Sequence, residues 1–191
     1  MILKALNSKE QHILNVAESI FLEYGYHRSS IRLIAERAGI NNAMLHYYFF
    51  NKENLFKEVV CRRIQFLKEF DRVADTCGTS MEQIIVVIEE NRAFFKLMIY
   101  EHMQKRNSQV VEEIYSYFSL LESRILKIIK PFVLDEFYTL EQLTIISKSV
   151  LALLFDVCLI REELLSYRKA VKNDLLAYVN SYFKLLLMKC N

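Results

Sequence analysis

Residues 29–56 read SSIRLIAERAGINNAMLHYYFFNKENLF. Ser29 and Ser30 carry hydroxyls suited to cap a helix, after which Ile31, Ile34, Ala35 and Ala38 recur at i, i+3, i+4 and i+7, one apolar stripe at helical period. Gly39 ends that helix, because glycine enters the left-handed conformation without steric cost. Ile40 then turns back toward a core and Asn41 caps a second, short helix running from Asn42 to about Tyr48. Two helices joined by so tight a glycine turn cross steeply, which is the geometry of a helix-turn-helix.

If Leu45 points inward, a turn of about 100° per residue puts Phe49 on the same side and sends Ala43 and Tyr47 nearly opposite, with Met44 and His46 on the flanks. The outward face of the short helix is thus small, aromatic and uncharged. Such a face is poorly suited to water but well suited to a major groove, where it meets thymine methyls and base edges. Asn51 caps the next helix and places Lys52 in its first turn, where backbone donors and a lysine together favour a phosphate.

Working outward, the run from Glu10 to Phe56 combines ILNVAESIFLEYGY (13–26), the SSIRLIAERAGI segment, LHYYF (45–49) and NKENL (51–55). In these motifs the chain resembles the N-terminal DNA-binding domain of TetR-type transcriptional regulators, over roughly the first third of its length. The resemblance implies an all-α homodimer that represses or tunes transcription and releases its DNA when a small molecule binds the C-terminal domain. It also implies that Asn42, Ala43, Met44 and Tyr47 face base edges, while Ser30, Arg32, His46, Tyr48 and Lys52 face the DNA backbone. The family usually has tyrosine where this chain has His46. The expected organisation is a three-helix DNA-binding head over residues 9–69, with the helix-turn-helix at about 32–51, and a C-terminal effector-binding and dimerisation domain over 70–191.

Composition agrees with an all-α chain: among 191 residues there are three Gly and one Pro, and 53% are hydrophobic. Net charge is +2, with seven Lys/Arg against six Asp/Glu in residues 1–60, so charge alone does not indicate nucleic acid. Cys61, Cys77, Cys158 and Cys190 lack metal-ligand or CxxC spacing and read as reduced, buried thiols. MILKALNSKE turns polar too soon for a signal peptide, and no apolar run approaches the roughly 18 residues of a membrane span; a cytoplasmic location is expected.

Along the chain, a first helix carries Ile13, Ala17, Ile20 and Phe21 on one face up to Gly25, and a long helix from Lys52 to about Val73 joins the head to the rest. DTCGTS (75–80) is the clearest break, Ser80/Gln83 and Thr139/Gln142 have capping-box spacing, and Pro131 stops a helix. Helices are expected from Leu140 to about Leu165 and from near Arg168 to Cys190, about nine in all. Both of the last are apolar on more than one face, which predicts a homodimer through a four-helix bundle with the same pair in a twin chain.

No catalytic constellation, metal set or cofactor motif emerges, so the chain does not read as an enzyme. Glu101 and His102 lack the Glu-x-x-His spacing of di-iron bundles and read as a surface pair. Tyr100, Tyr115, Tyr117, Phe118 and Phe94 or Phe95 suggest a pocket for an aromatic or amphipathic effector, with Arg92, Glu122 or Asp156 as polar anchors; each aromatic taken singly reads as core. The function expected is a sequence-specific regulator on a palindromic double-stranded operator, released by a small molecule. The rival is a helical small-molecule-binding or interaction protein that keeps the helix-turn-helix as scaffold.

Overall fold

A computed structural model of the chain describes residues 8–76, 78, 80–104, 108–132 and 138–160. These residues form eight α-helices and no strand: α1 (Ser8–Arg28), α2 (Ile31–Arg37), α3 (Asn42–Phe49), α4 (Lys52–Thr76), α5 (Met81–Glu90), α6 (Arg92–Gln104), α7 (Ser108–Ile129) and α8 (Leu140–Phe155). The helix expected between Arg168 and Cys190, the stretch up to Leu165, Cys77 and Cys190 lie outside the described residues. None of the described helices is long and apolar enough to cross a membrane.

Local chemistry sets the helix boundaries. Ser80 with Gln83 and Thr139 with Gln142 form complete capping boxes at α5 and α8, each side chain bonding the other residue's backbone N–H. Pro131 stops α7 at Ile129, and the chain leaves in a 3₁₀ turn, Lys130–Phe132. α4 runs three residues past the expected Val73, to Thr76, before Gly78 breaks the chain at φ 91°. Asp156 closes α8 and opens a π-helical turn, Asp156–Ile160.

The chain divides into two compact units, the first built from residues up to Glu69 together with Lys96–Tyr115, the second from Phe70–Phe95 and residues from Ser116 on. The first unit therefore takes in residues 96–115 in addition to the 9–69 read from sequence. Its core sets Ile13, Leu14, Ala17 and Phe21 of α1 beside Ile34, Leu45, Leu55 and Phe56, all buried. Phe21 and Phe56 meet edge to face with centroids 4.9 Å apart, a favourable aromatic geometry. Arg62 of α4 donates to Glu18 (2.7 Å) and Asn15 (2.8 Å) of α1, fastening the two helices at their surface.

The second unit holds a polar group in its interior. Arg124 on α7, 1% exposed, forms an ion pair with Asp71 of α4, and the buried Tyr117 hydroxyl donates to the other Asp71 oxygen at 3.1 Å. Burial first, then the Asp71 charge, raises the Tyr117 phenol well above the tyrosine range, so it remains a donor. Around it Phe95 packs on Tyr117 and Phe155, and Phe118 on Phe155, at centroid distances of 6.1, 5.5 and 5.2 Å. The described cysteines are free thiols, and burial pushes Cys61 up to about 11 and Cys158 up to about 12, which keeps them protonated and weakly nucleophilic at neutral pH.

Arg124→Met is expected to cost about 3–5 kcal/mol in urea unfolding, because it strands the Asp71 charge indoors, whereas the double variant with Asp71→Leu recovers most of that loss. A single variant as stable as the wild type would show that the pair contributes nothing.

Candidate nucleic-acid interface

The helix-turn-helix is assembled from caps at three successive helices. Ser30 Oγ accepts from Leu33 N–H (3.1 Å) at α2, Asn41 Oδ1 from Met44 N–H (2.7 Å) at α3, and Asn51 Oδ1 from Asn54 N–H (2.8 Å) at α4. Between α2 and α3, Gly39 sits at φ 66°, its N–H donating to the Glu36 carbonyl (3.1 Å) while Ile40 N–H donates to that of Ala35 (3.0 Å). This pair of bonds is a Schellman motif, which satisfies the last carbonyls of α2 and sends the chain directly into α3. A Cβ at Gly39 would meet nothing within 4 Å, so the demand for glycine is one of backbone conformation alone.

α3 presents the faces that its sequence requires. Leu45 and Phe49 are buried, Met44 and Tyr48 half-buried, and Asn42, Ala43, His46 and Tyr47 exposed, Tyr47 to 83%. The Tyr47 ring leans edge-on against Tyr48, with centroids 5.3 Å apart. Ser30 and Arg32 are exposed at the start of α2, and the Ser30 hydroxyl oxygen is engaged in the cap. His46 Nδ1 lies 2.8 Å from the Phe50 carbonyl; a carbonyl only accepts, so Nδ1 carries the proton there.

Lys52 is placed differently from the phosphate ligand read from its sequence position. Its Nζ donates to the carbonyls of Tyr26 and Ser29, both at 2.9 Å, and stands 4.2 Å from the centre of the Tyr26 ring. Two of its three N–H groups are thus committed inside the domain. These carbonyls need an outside donor because Gly25, at φ 76° and ψ 167°, breaks α1 before its last turn. Burial pulls the ammonium below the ordinary lysine range, and the Glu101 carboxylate opposes that shift. Glu101 itself corrects an expectation: it is 2% exposed rather than on the surface, and its charge also acts on the half-buried Tyr26. A single carboxylate in a helical stretch gave no sign of a cation about fifty positions away.

The residues expected to form an effector pocket fall into two groups. Tyr100 and Tyr115 belong to the first unit, each about half exposed, with their rings against His27 and His102. Arg92, Phe118, Glu122 and Asp156 belong to the second, all half-buried. Tyr117, Phe94 and Phe95, also expected at the pocket, are buried in the core of that second unit, where the buried Asp71 and Arg124 had no local sequence signal.

Comparison with known proteins agrees with this geometry. Residues 13–59 match the family model described as bacterial regulatory proteins, tetR family. The chain is 30% identical over 104 residues to the fatty acid metabolism regulator protein of Bacillus subtilis, an alignment covering 52% of this chain and 50% of that one. It thus spans about half the length of the first curated relative it matches. Among solved structures, the fatty acid degradation regulator FadR of Bacillus halodurans superposes with a TM-score of 0.64 at 21% identity, covering 96% of this chain and 97% of that chain. FadR of Bacillus subtilis in complex with stearoyl-CoA gives 0.56 at 20% identity, covering 95% and 99%. At such identities these structures establish the fold alone.

Lys52→Ala should lower stability by about 2 kcal/mol in thermal or chemical unfolding, since it removes two charge-assisted bonds to carbonyls that the break at Gly25 leaves exposed. Unchanged unfolding would mean that water replaces the ammonium without loss.

Proposed function

We propose that the chain, whose residues 13–59 match the family model of bacterial regulatory proteins, tetR family, binds a palindromic operator as a homodimer and releases it on binding a small molecule. The observation that carries the reading is the outward face of α3: Asn42, Ala43, His46 and Tyr47 are exposed on a short helix capped at its start and pinned by Leu45 and Phe49. A side chain 83% exposed, like that of Tyr47, does little for the fold, and a major groove gives it base edges and thymine methyls to meet.

Asn42, Ala43, Met44 and Tyr47 read base edges, while Ser30, Arg32, His46 and Tyr48 approach the sugar-phosphate backbone. Lys52 enters chiefly as the clamp that holds α4 to the end of α1. Dimerisation falls to α8 and the segment beyond it; on α8 the apolar Leu140 and Ile145 stand exposed. The effector is amphipathic. Buried aromatics of the second unit, Phe95 and Phe155 among them, suit an apolar chain, with Arg92 as the cation for its polar end. The stearoyl-CoA held by the Bacillus subtilis neighbour makes a long-chain acyl-CoA the first compound to try.

Tyr47→Ala should weaken binding to a duplex selected by the wild-type chain by about 1–3 kcal/mol with thermal stability unchanged. Equal loss of both would place Tyr47 in the fold rather than in the groove. Sedimentation should give a dimer at micromolar concentration for the wild type and a monomer for Ile145→Glu; a monomeric wild type would refute the assembly. The effector and the duplex should each weaken the other's binding by the same factor, about 1–3 kcal/mol. Equal effector affinity with and without DNA would leave a protein that binds both without regulating either.

A further inference from the structure

Phe50 follows the last residue of α3 and is, among the described residues, the one non-glycine with positive φ (66°, with ψ −50°). Asn51 N–H donates to the Phe49 carbonyl across it at 2.7 Å, closing a γ-turn of the positive-φ form, the rarer and more strained of the two. Two further bonds fix the residue: its N–H donates to the His46 carbonyl and its own carbonyl accepts from His46 Nδ1, both at 2.8 Å. Backbone held this firmly in a disfavoured region persists where surrounding contacts over-determine it, and such strain gathers at functional sites.

Phenylalanine is the expensive choice here on two counts. Glycine or asparagine would enter this region with less strain, and the ring, 75% exposed, gains almost nothing from the core. Yet it stands where the exposed face of the helix ends: Asn42, Ala43, His46 and Tyr47 on α3 and Phe50 directly after it are all exposed. At 1.5 Å per residue, Phe49 stands about 9 Å along α3 from Ala43, so Phe50, directly after it, is displaced by about three base-pair steps.

We propose that Phe50 is a DNA-contacting residue of this chain, its ring making an apolar contact with the duplex at the end of α3 remote from Asn42, with the γ-turn aiming it. The contact is to a thymine methyl or to deoxyribose carbons, both apolar and both within reach of a ring at a groove wall. It rests on the reading of α3 as the groove-entering helix. Because the ring is uncharged it displaces no counterion, so the contact adds affinity without adding to the salt dependence.

The test uses the full chain and a duplex recovered by the wild-type protein from a random-sequence pool. Phe50→Gly and Phe50→Asn are expected to raise or preserve the thermal midpoint while weakening that duplex about tenfold, with an unchanged salt slope, and Phe50→Tyr to retain most of the affinity. Replacing thymines by deoxyuracil in the duplex separates the two sources: a loss in the wild type that disappears in Phe50→Gly assigns the methyl, and an equal effect on both assigns deoxyribose. Variants that bind as tightly as the wild type overturn the proposal, as does a parallel fall in thermal midpoint and affinity in both Phe50→Gly and Phe50→Asn. A wild-type chain that recovers no duplex overturns the reading of α3 together with it, so the two failures are told apart.

Discussion

The first unit depends on one ammonium group. Lys52 opens α4, where the helix's own dipole disfavours a cation, so its position needs a compensating partner. The partner is the chain that leaves α1, since the break at Gly25 frees carbonyls that no helix turn satisfies, and Lys52 takes those of Tyr26 and Ser29. The Tyr26 ring below the ammonium and the buried Glu101 nearby complete its surroundings. Through this contact the end of α1, the approach to α2 and the start of α4 share one fixed point, and the two short helices between have their entry and exit set together.

Each unit solves the problem of interior polarity in its own way. In the first, backbone carbonyls and N–H groups at helix ends are matched by single side chains: Ser30, Asn41, Asn51 and Lys52. In the second, two opposite charges and a phenol are taken indoors as a set, Asp71 with Arg124 and Tyr117. At the three caps the first solution is local, each side-chain oxygen accepting from an N–H three positions on. The second is worth having only when complete, because a lone charge in that place would cost several kcal/mol.

That difference also governs what could be read without coordinates. Caps, the stripe of α2, the Gly39 turn and the faces of α3 depend on residues within four or five positions of one another, and all are legible in the order of the letters. Asp71 and Arg124 are separated by 53 positions and Glu101 is comparably remote along the chain from Lys52 and Tyr26, so nothing in their neighbourhoods announced them. Lys52 shows the limit from the other side: its place in a first turn suggests a phosphate, and only the break at Gly25, with the chain folded back, reveals two carbonyls already waiting. Phe50 was hidden because a strained turn has no compositional signature when the residue in it is not glycine.

The face of α3 has a further consequence for how such a chain changes over generations. Its outward residues lend the core nothing, while the caps, the glycine and the inward Leu45 and Phe49 carry the architecture. On the proposed reading, recognition and foldability are thus written in separate letters of the same eight-residue helix. On that reading, substitutions at the outward letters would retarget the molecule to new sequences one step at a time without passing through unfolded intermediates.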